Sequence, residues 1–377
     1  MTAPQFAGIP FAMVEAVHNW LLQYPLASHE KRGRTVSRQS ESMVEQAAPI
    51  MQLPLGSSAE QTQITERPVV FGSDTELFGI LTEPHGGELR RRAVILLNAG
   101  ADYHIGASGM SVGLARAWAR HGYIVLRMDF AGIGDSGTRP GRTPNEIFPP
   151  AAVDDIRLAI EFVSTRFGVR DVSVAGLCSG AYHALRAAVA GLPVDRLLMV
   201  NPQNYFWKEG MSIYDMQLSE LVTKPDISPQ QIFSWQRWRR LFTGGIDVRY
   251  ILKRYVHMLG LTLESTVRDI ARNMRIRLPH DLGWELEEIA SRGVRMVFVF
   301  SRGEPGIELL RIQGGSSVKR LKERCKVYIV DGADHVFSKL GPRSKLEKIL
   351  SDELFARVNR QTEKASEDEW HDPVRLP

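Results

Sequence analysis

VSVAGLCSGAYHALRAAVA, residues 172–190, joins a short β-branched segment to an alanine-rich segment through a glycine-flanked cysteine. The first part has the composition of a buried strand, and the last part has that of a helix. Gly176 and Gly180 stand two positions before and after Cys178. A strand that turns directly into a helix strains the residue at the turn, and flanking glycines let the neighbouring elements approach. The pattern therefore predicts a strand–turn–helix unit that displays the side chain of Cys178.

Cys178 has two interpretations. As a nucleophile it would stand at the start of a helix, whose unpaired N–H groups and partial positive charge favour thiolate over thiol. As a structural residue it would be a small buried side chain in a glycine-rich turn. The strand pattern before it and the helix pattern after it favour the nucleophile.

A cysteine nucleophile needs a base, and the base needs a group that orients it. His335 lies in the sequence DGADHVF, directly after the apolar segment KVYIV that forms the last predicted strand. We predict that His335 is the base; the alternative is a capping or surface histidine. The orienting acid is expected after the preceding strand, MVFVF, where Glu304 and Glu308 are both candidates. Glu304 is favoured because it is closer to the strand end, whereas Glu308 requires the chain to turn at Gly306.

Two backbone N–H groups are needed to stabilise the negative charge that develops on the substrate oxygen. Ser179, the residue after the nucleophile, is expected to supply one of them. The loop after the strand AVILLN is expected to supply the other from Gly100. In the same loop, Asp102 and His104 are predicted either to contact the substrate or to brace the loop.

Short apolar segments alternate with helical patterns along much of the chain. This alternation predicts an α/β fold with a mostly parallel sheet and helices on both faces. One long stretch carries tryptophans in helical periods without a strand pattern, which predicts a helical cap insertion. The predicted boundaries are an N-terminal helical arm and linker at 1–65, core segments at 66–203 and 291–360 around the insertion at 204–290, and a flexible tail at 361–377.

The predicted insertion is basic, because residues 232–277 contain ten lysines and arginines against three acidic residues. A basic cap could receive the phosphate of coenzyme A or phosphopantetheine, or the acidic face of a carrier protein. Trp235 and Arg239 are the predicted substrate contacts there. The alternatives are a tryptophan packed in the core of the cap and an exposed basic surface without a ligand.

The composition excludes several classes of protein. With 44% hydrophobic and 24% charged residues in 377, the chain is neither fibrous nor wholly disordered. A net charge of +4 gives no indication of nucleic-acid binding. Two cysteines are too few for a disulfide scaffold, and no apolar segment is long enough to span a membrane. The N-terminus lacks the pattern of a signal peptide, so a cytoplasmic location is predicted.

A second glycine pattern, Gly132-Ile133-Gly134-Asp135-Ser136-Gly137, matches the GxGxxG sequence of dinucleotide-binding proteins. Such a site needs a helix to begin at the last glycine. Here prolines at positions 140 and 144 follow instead. The glycines are therefore interpreted as turn residues, and no NAD site is predicted.

Several of these segments together resemble a known family. The stretches NAG (98–100), LARAWARHGYIVLRMDFAGIGDS (114–136) and GLCSG (176–180) are similar to the serine-aminopeptidase-like branch of the α/β-hydrolase superfamily and to hydrolases associated with exosortase systems. The resemblance implies the α/β-hydrolase fold without a metal or an organic cofactor. A cysteine at this turn also resembles dienelactone hydrolases, polyhydroxyalkanoate synthases and cysteine aminoacyltransferases.

The resemblance and the cysteine together imply an acyl-enzyme mechanism. One thioester replaces another when a thiol attacks a thioester, so the exchange is nearly balanced in free energy and the acyl group can pass onward. The leading hypothesis is acyl transfer or hydrolysis of a thioester, bound to coenzyme A or a carrier protein, through acyl-Cys178. The alternatives are an ester or lactone hydrolase with the same residues and a non-catalytic binding protein.

Overall fold

The computed structural model describes residues 63–72, 76–85, 91–208, 211, 263 and 265–356. These residues form an eight-stranded sheet in the order β1-β2-β4-β3-β5-β6-β7-β8. β1 and β2 pair antiparallel, β2 pairs antiparallel with β4, and the remaining strands are parallel. The strands are β1 Gln63–Phe71, β2 Leu77–His85, β3 Arg92–Leu96, β4 Ile124–Met128, β5 Asp171–Leu177, β6 Arg196–Val200, β7 Arg295–Ser301 and β8 Cys325–Val330.

Helices cover both faces of the sheet because strands β3 to β7 are apolar on both sides. One buried cluster joins one sheet face to α2, α3 and α4, and a second joins the other face to α1 and α6. No helix of the described residues is long and apolar enough to cross a membrane. The helices are α1 Met110–Arg120, α2 Ala152–Phe167, α3 Ser179–Val189, α4 Leu282–Ser291, α5 Pro305–Arg320 and α6 Leu340–Phe355.

The sheet topology determines where chemistry can occur. The carboxyl ends of parallel strands meet at one edge of the sheet, and loops at that edge form ligand sites in open α/β folds. Cys178 directly follows β5, Glu304 follows β7 and His335 follows β8. Residues distant in sequence are therefore brought to the same edge.

The structure confirms the mostly parallel α/β architecture and adds a strand that the sequence did not predict. β1 begins at Gln63, inside the predicted linker, and pairs along its whole length with β2. Only residues 63–65 lie in the predicted linker; residues 66–71 lie in the predicted core, where no strand was predicted, and the segment contains polar residues and Pro68. As an edge strand it tolerates the proline, and the carboxylate of Glu66 accepts hydrogen bonds from Arg116 and Arg127.

The end of the predicted insertion belongs to the core. Helix α4 lies within the predicted range 204–290 except for Ser291, yet Leu282, Leu286 and Ile289 are fully buried in the cluster beneath the sheet. Their spacing of four and three residues is that of a helix with one apolar face. Much of the insertion, including Trp235 and Arg239, lies outside the described residues, as do the predicted arm and tail apart from residues 63–65.

Candidate active site

Cys178 lies at the turn between β5 and α3 with φ 56° and ψ −114°, a backbone conformation that residues other than glycine rarely adopt. The flanking glycines are needed because a Cβ on Gly176 would lie 2.3 Å from the backbone carbon of Gly180. A Cβ on Gly180 would lie 2.6 Å from the carbonyl oxygen of Asn98. The backbone N–H of Cys178 donates to the carbonyl of Val200, which ties the turn to β6. The turn is therefore held from both sides, with the thiol displayed.

The structure brings His335 to Cys178 and Glu304. Nδ1 of His335 lies 3.1 Å from Oε2 of Glu304. The His335 ring also hydrogen-bonds to the side chain of Cys178. Because Nδ1 faces the carboxylate, Nε2 is the ring nitrogen available to the sulfur. The three groups form one hydrogen-bonded chain in the order thiol, imidazole and carboxylate.

The imidazole holds its proton strongly in this arrangement. Burial lowers the pKa of His335, but hydrogen bonds and charge interactions with Cys178 and Glu304 outweigh burial and raise that pKa to about 10. The arrangement therefore places a charged imidazole, which can donate a proton, beside the Cys178 side chain.

The two candidate acids occupy different environments. Glu304 stands directly before α5 in an extended conformation, and its Oε1 accepts a hydrogen bond of 3.1 Å from Oγ of Ser301. Glu308 lies one turn into α5 and is paired with Arg311. Pro305 starts the helix and keeps Glu304 outside it. The carboxylate beside the His335 ring is therefore that of Glu304, whereas the carboxylate of Glu308 is paired with Arg311.

Comparison with known proteins agrees with this architecture. Residues 94–339 match the alpha/beta hydrolase family. The chain belongs to the alpha/beta hydrolase family. A search of curated proteins finds no match.

Solved structures of the same fold resemble this alpha/beta hydrolase at low sequence identity. An esterase of Pyrococcus furiosus is 13% identical, with a TM-score of 0.46 over 76% of this chain and 92% of its own. A dienelactone hydrolase of Anabaena variabilis is 11% identical, with a TM-score of 0.45 over 77% of this chain and 96% of its own. A predicted CIB-like hydrolase of Thermoplasma acidophilum is 13% identical, with a TM-score of 0.42 over 77% and 98%.

The two residues predicted to supply oxyanion donors in this alpha/beta hydrolase are joined through the side-chain hydroxyl of Ser179. Ser179 is the first residue of α3, so its N–H has no acceptor within the helix. The N–H of Gly100 donates a hydrogen bond of 2.7 Å to Oγ of Ser179. The Gly100 amide is therefore engaged within the protein in this conformation and must exchange its acceptor to bind a substrate oxygen.

The loop that carries Gly100 is braced by Asp129, a fully buried carboxylate at the end of β4. Oδ1 of Asp129 accepts from the Asn98 side chain and from the N–H of His104, and Oδ2 lies 2.8 Å from Nδ1 of His104. His104 therefore braces the loop. Asp102 is exposed, and its carbonyl oxygen accepts a second hydrogen bond from the Asn98 side chain.

His104, Asp129 and Asp135 bring potential metal-ligating atoms within 4.8 Å of one another. Each oxygen of Asp129 already accepts hydrogen bonds from N–H groups, including the backbone N–H of Asp135 on Oδ2. A cation would have to displace these donors, so the cluster does not fit a metal ion. Gly134 approaches Asp129 so closely that a Cβ would lie 2.2 Å from Oδ2. Gly134 of the GxGxxG pattern therefore belongs to a turn that passes close to this carboxylate.

Three polar residues near Cys178, His335 and Glu304 were not predicted from the sequence. Asn201 directly follows β6, Ser301 ends β7, and Gln203 places its amide 3.4 Å from Nδ1 of His335. The signal that could have found them is a polar side chain at the carboxyl end of a buried parallel strand. Asn201 and Ser301 carry that signal, because each directly ends an apolar segment.

Proposed function

We propose that this chain is a cysteine-dependent acyl enzyme that transfers or hydrolyses the acyl group of a thioester through an acyl-Cys178 intermediate. The observation that carries the proposal is the hydrogen-bonded chain of Cys178, His335 and Glu304 at the turn after β5. Membership of the alpha/beta hydrolase family supports an enzyme of hydrolase type. The finer resemblance to exosortase-associated hydrolases remains part of the proposal.

In the proposed reaction, the Cys178 thiolate attacks the thioester carbonyl carbon, and a carbon–sulfur bond forms. The oxygen takes the negative charge, which the N–H groups of Ser179 and Gly100 stabilise. The bond to the leaving thiol then breaks, and His335 gives that thiolate its proton. In the second half, neutral His335 takes a proton from water or from an acceptor nucleophile, whose attack releases the acyl group from Cys178.

The choice of thioesters rests on sulfur chemistry. Attack by a thiol on a thioester makes another thioester of similar free energy, so the intermediate keeps its capacity to acylate an acceptor. The high pKa of His335 also means that the histidine carries a proton when the substrate arrives. That state suits a departing thiolate, which needs a proton.

The carrier of the acyl group is proposed to be coenzyme A or an acidic carrier protein, which a basic insertion would attract. Some of its described basic residues have structural roles. Arg272 is buried and donates to the carbonyl of Gly314 and to Ser317. Arg268 donates to the carbonyls of Pro279 and His280. Phosphate recognition therefore falls to other basic residues of the insertion, among them Arg239.

An ester or lactone hydrolase is the second candidate. The same three residues would serve it, and membership of the alpha/beta hydrolase family is consistent with it. A non-catalytic binding protein is the third candidate. The hydrogen-bonded triad argues against that candidate, since a binding protein has no need of a displayed thiol held on an imidazole.

The test is intact-mass measurement after incubation with acyl thioesters and acyl esters of N-acetylcysteamine and ethanol. We expect an acyl adduct on the wild-type protein and none on Cys178→Ala. Cys325→Ser is the matched control, because Cys325 is the other cysteine and burial raises the pKa of its thiol to about 12. That variant should acylate normally.

Three outcomes would redirect the proposal. Adducts from esters and not from thioesters would favour the ester hydrolase. A wild-type protein that forms no adduct and turns over neither class would favour the binding protein. Full activity in Cys178→Ala would refute the nucleophile. Addition of an amine or a carrier protein to the acyl-enzyme then separates transfer from hydrolysis.

A further inference from the structure

Asn201 is a fully buried amide at the carboxyl end of β6, which lies between β5, the strand that leads to Cys178, and β7, the strand that leads to Glu304. Its φ of 44° lies in the left-handed region, which asparagine tolerates better than other side chains. Its backbone N–H donates to the carbonyl of Val299 in β7. Both the residue type and the backbone are therefore specified at this position.

The Asn201 side chain uses all of its hydrogen-bonding groups on two loops. Oδ1 accepts a 2.8 Å bond from the backbone N–H of Ser301. Nδ2 donates 2.7 Å to the carbonyl oxygen of His335 and 3.2 Å to Oγ of Ser301. The orientation of the amide is fixed by these partners, because an N–H can only meet Oδ1 and a carbonyl can only meet Nδ2.

The hydrogen bonds from Asn201 extend through Ser301 to the carboxylate of Glu304. Oγ of Ser301 receives an N–H from Asn201 and donates its own proton to Oε1 of Glu304. Oε2 of Glu304 is left for Nδ1 of His335. The Asn201 amide is thus linked to Glu304 through Ser301, and to His335 through the backbone carbonyl of His335.

We infer that Asn201 is a positioning residue: its amide holds the loop of Glu304 and the loop of His335 in one register, so that the imidazole bridges the carboxylate and the Cys178 sulfur. The inference rests on the proposed function, because it assigns Asn201 a part in the same reaction. The side-chain hydrogen bonds of Asn201 go to Ser301 and to the His335 backbone, so Asn201 acts through these groups.

Asn201→Gly is the variant that tests it, since glycine accepts the left-handed backbone and removes only the amide. Asn145→Gly is the matched control, because Asn145 is an exposed asparagine with φ 61°. We expect Asn201→Gly to alkylate Cys178 with iodoacetamide at pH 7 more slowly than the wild type, and to lose on the order of 10²-fold in kcat with KM little changed. Asn145→Gly should match the wild type in both.

A purely structural role would lower the melting temperature of Asn201→Gly and leave the alkylation rate and kcat of the folded protein at wild-type values. That result overturns the inference. If Asn201→Gly does not fold, Asn201→Asp decides in the same way: it keeps the acceptor for Ser301, places an oxygen against the His335 carbonyl, and should show the same slow alkylation.

Alkylation separates this inference from the proposed function. If the wild type accepts no acyl group from any thioester or ester, the proposed function fails. The iodoacetamide rates of the Asn201 variants still decide whether Asn201 positions the histidine, with His335→Ala giving the rate expected without an imidazole.

Discussion

The backbone N–H of Gly100 donates a 2.7 Å hydrogen bond to Oγ of Ser179, so the two residues expected to stabilise an oxyanion are bonded to each other at rest. A charged acceptor forms a stronger hydrogen bond than a neutral hydroxyl does. A developing oxyanion can therefore draw the Gly100 N–H away from the serine. Until then, the bond holds the loop after β3 against the turn that carries Cys178.

Ser179→Ala should separate these two effects. Removal of the hydroxyl leaves the Gly100 N–H without its acceptor at rest, which we expect to lower the free energy of unfolding by about 1–2 kcal/mol. The substitution also removes the hydroxyl that competes with the oxyanion for the Gly100 N–H, so kcat should be retained. Urea denaturation and steady-state kinetics measure the two quantities. A fall in kcat beyond about tenfold would show that the Ser179 hydroxyl itself takes part in the reaction.

Glu304→Gln should separate the two candidate acids. A neutral amide cannot stabilise the charged imidazole, so kcat should fall by roughly 10²–10⁴-fold, as in other triads. Glu308→Gln is the control, because the partner of Glu308 is Arg311 and its carboxylate lies within α5. That variant should keep wild-type kinetics. Equal losses in both variants would contradict the assignment of Glu304.

The proton on His335 should make stability depend on pH. Its pKa is about 10 in the folded protein against a usual value of about 6.5 when unfolded. Between these values the folded state binds a proton that the unfolded state does not. The contribution to the free energy of unfolding is therefore complete below about pH 6.5 and is lost as pH rises towards 10.

Urea unfolding of the wild type and His335→Gln from pH 6 to pH 10 measures this contribution, since titrations common to both proteins cancel in the difference. The advantage of the wild type should shrink as pH rises. An advantage that stays constant or grows over this range would show that the folded protein does not hold the extra proton.

Gly180→Ala should disrupt the turn. The new Cβ would lie 2.6 Å from the backbone oxygen of Asn98, and backbone cannot move aside as a flexible side chain can. We expect the variant to lose about 2–4 kcal/mol of stability or to fail to fold, as overpacked sites do. Gly341→Ala in α6 is the matched control, because a Cβ there meets nothing within 4 Å. It should be neutral or gain up to about 1 kcal/mol.

Much of the fold follows from local sequence. The apolar segments that became β2 to β8 are short and bounded by turn residues, and the glycine spacing around Cys178 leaves few other conformations. β1 was not predicted because it is an edge strand, whose polar residues and Pro68 do not give the apolar pattern of a buried strand. Helix α4 was assigned to the insertion because nothing local distinguishes a helix that packs on the sheet from one that does not.

The site was less predictable than the fold, because its contacts join residues that are far apart in the sequence. Cys178, His335 and Glu304 each follow a strand, and parallel topology alone brings strand ends together. Asn201 and Ser301 follow the same rule, but neither has a chemistry that calls attention to it. The bond between Gly100 and Ser179 joins loops 79 residues apart, and it depends on rotamers that no local pattern encodes.

The positive φ at Cys178 lowers the stability of the fold at the residue that carries the reactive thiol. Strain of this kind costs about 1–3 kcal/mol, and a glycine in that position would be free of it. A Cys178→Gly chain should therefore outlast its parent on heating while being chemically inert. Heat resistance alone would therefore favour glycine at position 178, and a cysteine there is explained by the reactivity of its thiol.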